Sequence, residues 1–235
     1  MIDPLKGKKL TKNLTLQELL EKKTIKAFVF DLDGTLIDSQ AGIVKTINEF
    51  LQTKGYNFGE EKLGKLFGTP LEKVFCMLIP GLTETEAFEY LKEIRLIYAK
   101  NHTEITTLFQ GSMELLQGLK SKGFKVAVAS TKYKPLVVEI LNHFKLNEFI
   151  DVVVSDYEVA NHKPAPDILI ETAKRLDLKP DDCVYIGDSP SDIEAGKKAG
   201  TGTVAVLTGS HSKEKFAEIK PDFIIERIAD IKLEK

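Results

Sequence analysis

The stretch that decides the fold is Ile25-Lys26-Ala27-Phe28-Val29-Phe30-Asp31-Leu32-Asp33-Gly34-Thr35. Its first part is rich in β-branched and aromatic residues, which favour a β-strand, and the Asp33-Gly34 pair that follows is typical of a turn. The segment therefore predicts a buried strand over residues 25–31. The carboxyl end of that strand carries two aspartates, Asp31 and Asp33.

The chain beyond residue 120 repeats one pattern, in which short apolar runs alternate with helical stretches. Such near-continuous apolar runs are typical of parallel strands that are buried on both faces. We therefore predict an α/β fold with a doubly wound parallel sheet. Right-handed crossovers then bring the carboxyl ends of all strands to one edge, where such folds bind ligands. The predicted strands are Lys125–Ala129, Ile150–Ser155, Cys183–Ile186, Thr203–Leu207 and Asp222–Ile225.

Residues 39–109 have a different character, because apolar residues recur there at helical spacing and no strand pattern is evident. The segment is too long for an ordinary loop, so we predict a small all-helical cap domain inserted after the first strand. Residues 25–38 and 110–235 would form the α/β core. Residues 1–24 would form an N-terminal arm with a short helix capped by Thr15. An insert at the ligand-binding edge can act as a lid over a site.

Composition and charge exclude several classes of function. The chain has 235 residues, with Lys and Arg totalling 33 and Asp and Glu totalling 35, and no basic stripe that would neutralise a nucleic-acid backbone. Cys76 and Cys183 lie far apart, which argues against a disulfide scaffold or a zinc cluster. No apolar run approaches the ~20 residues that span a bilayer. We expect a cytoplasmic monomer or homodimer with no nucleic-acid or membrane partner.

Four predicted strand ends present polar groups to the same edge of the sheet. Two carboxylates close together repel each other unless a cation or a shared proton compensates. A hydroxyl beside the backbone amides that enter a helix can hold an anionic oxygen. Each group alone has an ordinary structural explanation, but the combination indicates a site for an anion and a cation. The groups are Asp31 with Asp33, Ser130-Thr131, Lys163, and Asp188 with Asp192.

The order and spacing of these residues resemble a known family. Asp31-x-Asp33-Gly34-Thr35, Ser130, Lys163 and Gly187-Asp188-x-x-x-Asp192 look like the four motifs of the haloacid dehalogenase-like phosphohydrolases. The resemblance covers roughly residues 25–207. The sequence most resembles the helical-capped group of this family, which contains phosphoglycolate phosphatases, inorganic pyrophosphatases and phosphosugar mutases. It implies a phosphatase that acts on a small phosphorylated metabolite.

The resemblance also implies a role for each acid. Asp31 would be the nucleophile that forms an aspartyl-phosphate, and Asp33 would protonate the leaving group and then activate water. Mg²⁺ would be held by Asp31, the backbone carbonyl of Asp33, and Asp188. Asp192 would bind the metal through water or orient Lys163.

The resemblance also implies the phosphate-binding residues, whereas the specificity candidates come from the position of the cap. Ser130 and Lys163 would hold the phosphoryl oxygens, together with the backbone amides of Leu32, Asp33 and Thr131. In the cap, the loop containing Phe67-Gly68-Thr69 is the candidate for substrate contact, and Arg95 or Lys100 is the candidate partner for a substrate carboxylate or second phosphate.

Several alternatives stay open within this group. Phosphoglycolate-like esters are the first candidate substrates, and pyrophosphate is the second. A β-phosphoglucomutase-like mutase is less favoured, because those relatives carry Glu-Asp where this chain has Gly187-Asp188. Dehalogenation is disfavoured because Asp33 suits an oxygen leaving group. A non-catalytic phosphate-binding regulatory module would be signalled by loss of Asp31 or Asp33, and both are present.

Overall fold

The computed structural model describes residue 11 and residues 14–20, 25–66 and 71–233. The strands, in chain order, are β1 (Leu14–Thr15), β2 (Ala27–Phe30), β3 (Ile37–Asp38), β4 (Thr107–Leu108), β5 (Lys125–Ser130), β6 (Val152–Ser155), β7 (Cys183–Gly187), β8 (Gly202–Val206), β9 (Phe223–Ile225) and β10 (Ile231–Lys232). The helices are α1 (Leu16–Leu20), α2 (Gln40–Thr53), α3 (Glu60–Gly64), α4 (Leu71–Leu78), α5 (Glu84–Asn101), α6 (Ser112–Ser121), α7 (Lys134–His143), α8 (Asp167–Arg175), α9 (Pro190–Ala199) and α10 (Lys213–Ile219).

The chain divides into two compact units. One contains the residues up to Ile37 together with those from Leu108 onward, and the other is Asp38–Thr107. No helix in the described ranges is long and apolar enough to cross a membrane.

The first unit is built on a six-stranded sheet with the order β6-β5-β2-β7-β8-β9, and all neighbouring strands are parallel. The predicted α/β fold with a parallel sheet is therefore confirmed. β2 lies inside the sheet, where residues 27–30 pair with 125–128 of β5 and with 183–186 of β7. This position brings the end of β2 between the ends of β5 and β7.

The sheet is buried on both faces, as the continuous apolar runs predict. Phe28 and Phe30 belong to one buried cluster, whereas Ala27, Val29 and Tyr185 belong to another. Successive side chains of a strand point to opposite faces, so one short run supplies residues to both clusters. All four residues of β2 are at most 1% exposed. This burial fixes the direction in which β2 delivers the aspartates that follow it.

The described residues of the predicted N-terminal arm pack within the first unit. The Thr15 hydroxyl accepts a hydrogen bond from the Glu18 amide at 3.2 Å, so Thr15 caps α1 as predicted. Leu19 is 5% exposed and joins the main core cluster. β1 pairs in parallel with β10, a contact between two-residue strands that are too short to produce a sequence pattern. The rest of the predicted arm, residues 1–10, 12–13 and 21–24, lies outside the described residues.

The second unit contains α2 to α5 around its own apolar cluster. Phe50 and Phe75 both pack edge-on against Tyr90, with ring centroids 5.2 and 6.0 Å apart. Thr83 begins α5 with a capping box, since its hydroxyl accepts from the Glu86 amide at 3.3 Å. The prediction of no strand within residues 39–109 was wrong at one place, because β4 pairs with β3. A two-residue strand shows no alternation in a sequence.

Candidate active site

The carboxyl ends of β2, β5 and β7 carry the groups that form the candidate site. The Asp31 amide donates to the Ile186 carbonyl at 2.9 Å, so Asp31 continues the pairing of β2 with β7 for one more residue. Ser130 is the last residue of β5, and Asp188 comes directly after β7. The parallel register therefore places these three residues at one edge of the sheet, as predicted from their positions at strand ends.

Lys163 joins the acidic groups at this edge. Its Nζ lies 2.9 Å from Asp31 Oδ1, 2.7 Å from Asp192 Oδ1, 2.6 Å from the Tyr185 hydroxyl and 3.1 Å from the Ala129 carbonyl oxygen. The Lys163 side chain is 2% exposed. An ammonium group has three protons to donate, and the four acceptors that surround them fix the position of Nζ. The negative charges of Asp192 and Asp31 outweigh burial and keep the pKa of Lys163 well above its usual range.

The backbone at Lys163 is hydrogen-bonded to the buried carboxylate of Asp156. The Lys163 amide donates to Asp156 Oδ2 at 3.4 Å, and the His162 ring nitrogen Nδ1 lies 3.8 Å from the same oxygen. Asp156 is 3% exposed, and burial raises the pKa of its carboxyl. Within the described part of the chain, Asp156 Oδ1 has no hydrogen-bond partner.

Three carboxylates converge beside Lys163. Asp31, Asp188 and Asp192 each offer an oxygen atom, and these oxygens lie within 4.8 Å of one another. Burial raises the pKa of Asp31 to about 7 against the attraction of Lys163, and burial together with the charge of Asp31 raises the pKa of Asp188 to about 8. When all three acids are ionised, their negative charge exceeds what Lys163 alone compensates, and a hard divalent cation with oxygen ligands fits such a group.

Asp188 is enclosed by backbone that only glycine can supply. Gly34 has φ +79°, and a Cβ there would lie 2.3 Å from Asp188 Oδ2; a Cβ at Gly209 would lie 2.0 Å from the same atom. The Thr35 hydroxyl donates to Asp188 Oδ1 at 3.2 Å. Two close backbone approaches and one hydrogen bond therefore set the direction of this carboxylate.

Asp192 is fixed by the start of α9. The Ser189 hydroxyl accepts from the Asp192 amide at 3.2 Å, and Asp192 Oδ2 accepts from the Ser189 amide at 3.0 Å, which together form a capping box. Burial acts to raise the pKa of Asp192, but Lys163 and the hydrogen bonds from Lys163, Ser189 and Tyr185 lower it. Asp192 is therefore an ionised partner of Lys163.

Asp33 faces a second lysine. Lys132 Nζ lies 3.1 Å from Asp33 Oδ1, and the two side chains are 9% and 29% exposed. Among the predicted phosphate-binding residues, Ser130 is buried and its hydroxyl accepts from the Lys132 amide at 3.2 Å, whereas Thr131 is exposed. The Leu32 side chain lies in the core, so only the backbone of Leu32 is available for a ligand.

The structure thus brings most of the predicted residues to one edge, in the group Asp31, Asp33, Ser130, Lys163, Asp188 and Asp192. Arg95 is an exposed residue of α5 in the second unit. The predicted specificity loop Phe67-Gly68-Thr69 lies outside the described residues.

Sequence reasoning missed three residues of this edge, Lys132, Asp156 and Tyr185. Lys132 and Asp156 each stand within two residues of a strand's carboxyl end, but neither belongs to the four family motifs. Tyr185 lies in a strand of small and aliphatic residues, and a buried tyrosine hydroxyl needs a hydrogen-bond partner. Because of this requirement, Tyr185 could have been predicted from the sequence to contact a polar group of the site.

Comparison with known proteins agrees with this geometry. Residues 28–206 match the model of a family described as haloacid dehalogenase-like hydrolase. A protein from Bacillus cereus (strain ATCC 10987 / NRS 248) named pyrophosphatase PpaX is 32% identical over 208 residues, which are 88% of this chain and 94% of the relative.

Solved structures give the same result. A predicted phosphoglycolate phosphatase from Haemophilus somnus superposes with a TM-score of 0.78 at 26% identity, covering 88% of this chain and 96% of that one. A predicted phosphatase from Clostridium acetobutylicum superposes with a TM-score of 0.73 at 27% identity, covering 88% and 95%. These matches confirm the resemblance carried by the motifs: the chain belongs to the haloacid dehalogenase-like hydrolases and is an enzyme of that family.

Proposed function

We propose that the chain is a Mg²⁺-dependent phosphatase that hydrolyses a small phosphorylated metabolite through an aspartyl-phosphate on Asp31. The observation that carries the proposal is the position of Lys163, which is buried and bonded to both Asp31 and Asp192 beside a third acid, Asp188. A lysine of this kind neutralises charge at the nucleophile, and the acids provide oxygen ligands for a cation.

Asp31 has the properties of the nucleophile. Its amide is held by the sheet, and Lys163 binds its Oδ1, so the carboxylate is kept in one orientation. In the proposed reaction a carboxylate oxygen of Asp31 forms a bond to phosphorus while the bond between phosphorus and the leaving oxygen breaks. Orientation of this kind lowers the barrier because reacting atoms are already positioned.

Asp33 has the properties of the general acid and base. It is partly exposed, and it follows Asp31 by two residues in the turn that β2 enters. It would give its proton to the leaving oxygen in the first step. Once ionised, it would take a proton from the water molecule that attacks the aspartyl-phosphate, which releases phosphate and restores Asp31.

The donor set fits Mg²⁺. Asp31, Asp188 and the Asp33 backbone carbonyl would hold the ion, and Asp192 would contribute through water while it orients Lys163. A bound divalent cation supplies positive charge that reduces the repulsion between Asp31 and a phosphate dianion. Ser130, Lys163 and the amides of Leu32, Asp33 and Thr131 remain the proposed groups for the phosphoryl oxygens.

Pyrophosphate is a second candidate substrate. The relative from Bacillus cereus named pyrophosphatase PpaX favours it, and the proposed site chemistry serves an anhydride as well as an ester. In either case Asp31 attacks one phosphorus, and only the leaving group differs.

The test is phosphate release from a panel of phosphoglycolate, pyrophosphate, sugar phosphates, nucleotides and p-nitrophenyl phosphate, with and without Mg²⁺. We expect one strongly preferred substrate, with activity that depends on Mg²⁺ and is lost in Asp31→Asn. A matched control is Asp167→Asn, which changes an acid at the start of α8 whose contact is to Asn161. Absence of Mg²⁺-dependent release across the panel from folded protein would refute the proposal.

A further inference from the structure

Lys132 is a nearly buried cation that the roles proposed above do not use. Its Nζ lies 3.1 Å from Asp33 Oδ1, and its side chain is 9% exposed. Exposed lysines usually extend into solvent, where an ion pair contributes little. A lysine covered to this degree and directed at Asp33 is part of the site rather than of the surface.

The backbone of Lys132 is held from two strands. Its amide donates to the Ser130 hydroxyl at 3.2 Å, and its carbonyl accepts from the Ser155 hydroxyl at 2.8 Å. Ser130 ends β5 and Ser155 ends β6, so the two strands fix the point from which the side chain departs. The ammonium group therefore approaches Asp33 from an anchored backbone.

The two lysines of the site serve different acids. Lys163 binds Asp31, which would attack phosphorus, and Lys132 binds Asp33, which would protonate the leaving oxygen. Because Asp33 would give its proton to the leaving oxygen, a group within hydrogen-bond distance of Asp33 would lie close to the leaving group. One positive charge would thus stand beside the attacking carboxylate and the other beside the leaving group.

We propose that Lys132 selects substrates whose leaving group carries its own negative charge, a carboxylate or a second phosphate, by binding that charge. The inference rests on the proposed phosphatase function and names the substrate class of the same site. A neutral leaving group gains nothing from this ammonium group. An anionic leaving group gains a charge-assisted hydrogen bond in a partly buried position, where such bonds are strong.

The experiment compares two substrates that differ only in this charge. Phosphoglycolate has a leaving group that ends in a carboxylate, and 2-hydroxyethyl phosphate has the same carbon chain ending in a hydroxyl. We expect the wild-type enzyme to have the higher kcat/KM for phosphoglycolate. In Lys132→Gln the ratio of the two kcat/KM values should fall by about 10-fold, which corresponds to about 1.4 kcal/mol. Lys132→Arg should retain the ratio because it retains the charge.

Lys134→Gln is the matched control. Lys134 lies two residues away, its side chain is 39% exposed, and its Nζ pairs with Glu158 at 3.1 Å. The substrate ratio should not change in this variant. Pyrophosphate, tested in parallel, should lose activity in Lys132→Gln as phosphoglycolate does.

Two results would overturn the inference. One is an equal loss with both substrates in Lys132→Gln, since this is what a lysine that only holds Asp33 would give. The other, which needs no variant to fold, is a wild-type enzyme that uses 2-hydroxyethyl phosphate as well as phosphoglycolate. Asp31→Asn distinguishes failure of the phosphatase proposal from failure of the Lys132 proposal. If Asp31→Asn stays active, the phosphatase proposal fails. If Asp31→Asn is inactive but the ratio of the two kcat/KM values is unchanged in Lys132→Gln, only the role of Lys132 fails.

Discussion

Replacement of Lys163 by methionine tests whether the site depends on one buried cation. Methionine has nearly the shape of lysine but lacks the ammonium group, so Lys163→Met removes all four contacts of Nζ at once. Asp31 and Asp192 then face each other in a buried place without the positive charge between them. Breaking a buried ion pair by removal of one partner costs about 3–5 kcal/mol.

This cost is measurable by thermal denaturation of the metal-free protein. For a chain of this length, 1 kcal/mol lowers Tm by roughly 2–4 °C, so we expect a decrease of about 6–20 °C. Added Mg²⁺ should restore part of the loss, because the same acids are its proposed ligands. Activity should fall by about 100- to 1000-fold, as it does when one charge-stabilising donor is removed from an active site.

Lys198→Met is the control for the loss of a lysine as such. Lys198 is 51% exposed at its side chain, lies 3.6 Å from Glu194 and donates to the Pro164 carbonyl at 2.9 Å. An exposed pair of this kind contributes about 0–1 kcal/mol. If Lys163→Met and Lys198→Met melted within a degree or two of each other, the account of a charge-balanced buried site would be refuted.

Three further predictions concern the same edge of the sheet. Tyr185→Phe removes the hydroxyl that lies 2.6 Å from Lys163 Nζ. We expect kcat to fall by about 10-fold in steady-state kinetics and the free energy of unfolding to fall by about 1–3 kcal/mol in urea denaturation. An unchanged kcat would contradict the role of Tyr185 as a positioning residue. In Gly209→Ala the new Cβ would lie 2.0 Å from Asp188 Oδ2, so the Asp188 carboxylate must move. The Mg²⁺ concentration for half-maximal activity should therefore rise by about 10- to 100-fold. An unchanged Mg²⁺ titration would contradict this prediction. Burial raises the pKa of Asp31 to about 7 and that of Asp188 to about 8, so between about pH 6 and about pH 8 the folded state binds more protons than the unfolded state. The free energy of unfolding of the metal-free protein should therefore decrease over this range, by at most about 1.4 kcal/mol per pH unit for each group, and Mg²⁺ should reduce this dependence. Stability that rises with pH in EDTA over the same range would show the sign to be wrong.

The sheet was predictable because its strands are buried on both faces. A run such as residues 27–30 contributes side chains to two apolar clusters, so it must be apolar throughout, and this continuity is visible in the sequence. The contact of β1 with β10 was not predictable, since two residues carry no periodicity and the partners lie at opposite ends of the chain.

The parts of the candidate site that lie at strand ends were predictable from the sequence. The contacts made by long side chains that extend from one strand end to another were less predictable. The motif positions Asp31, Asp188 and Asp192 meet because β2 and β7 are neighbours in the sheet. The contact of Lys132 with Asp33 depends on the path of a long side chain from a different strand. Sequence spacing alone does not determine such a path, which is why this lysine emerged only with the structure.

The central claim, that Asp31 receives the phosphoryl group, is tested most directly by trapping the intermediate. In Asp33→Asn the attack by water should be slow, so the aspartyl-phosphate should accumulate when the preferred substrate and Mg²⁺ are added and the reaction is stopped with acid. Mass spectrometry of proteolytic fragments should then find a phosphoryl group on the fragment that contains Asp31, and none in Asp31→Asn. Phosphate release by Asp31→Asn at the wild-type rate, or a phosphoryl group on another residue, would contradict the account.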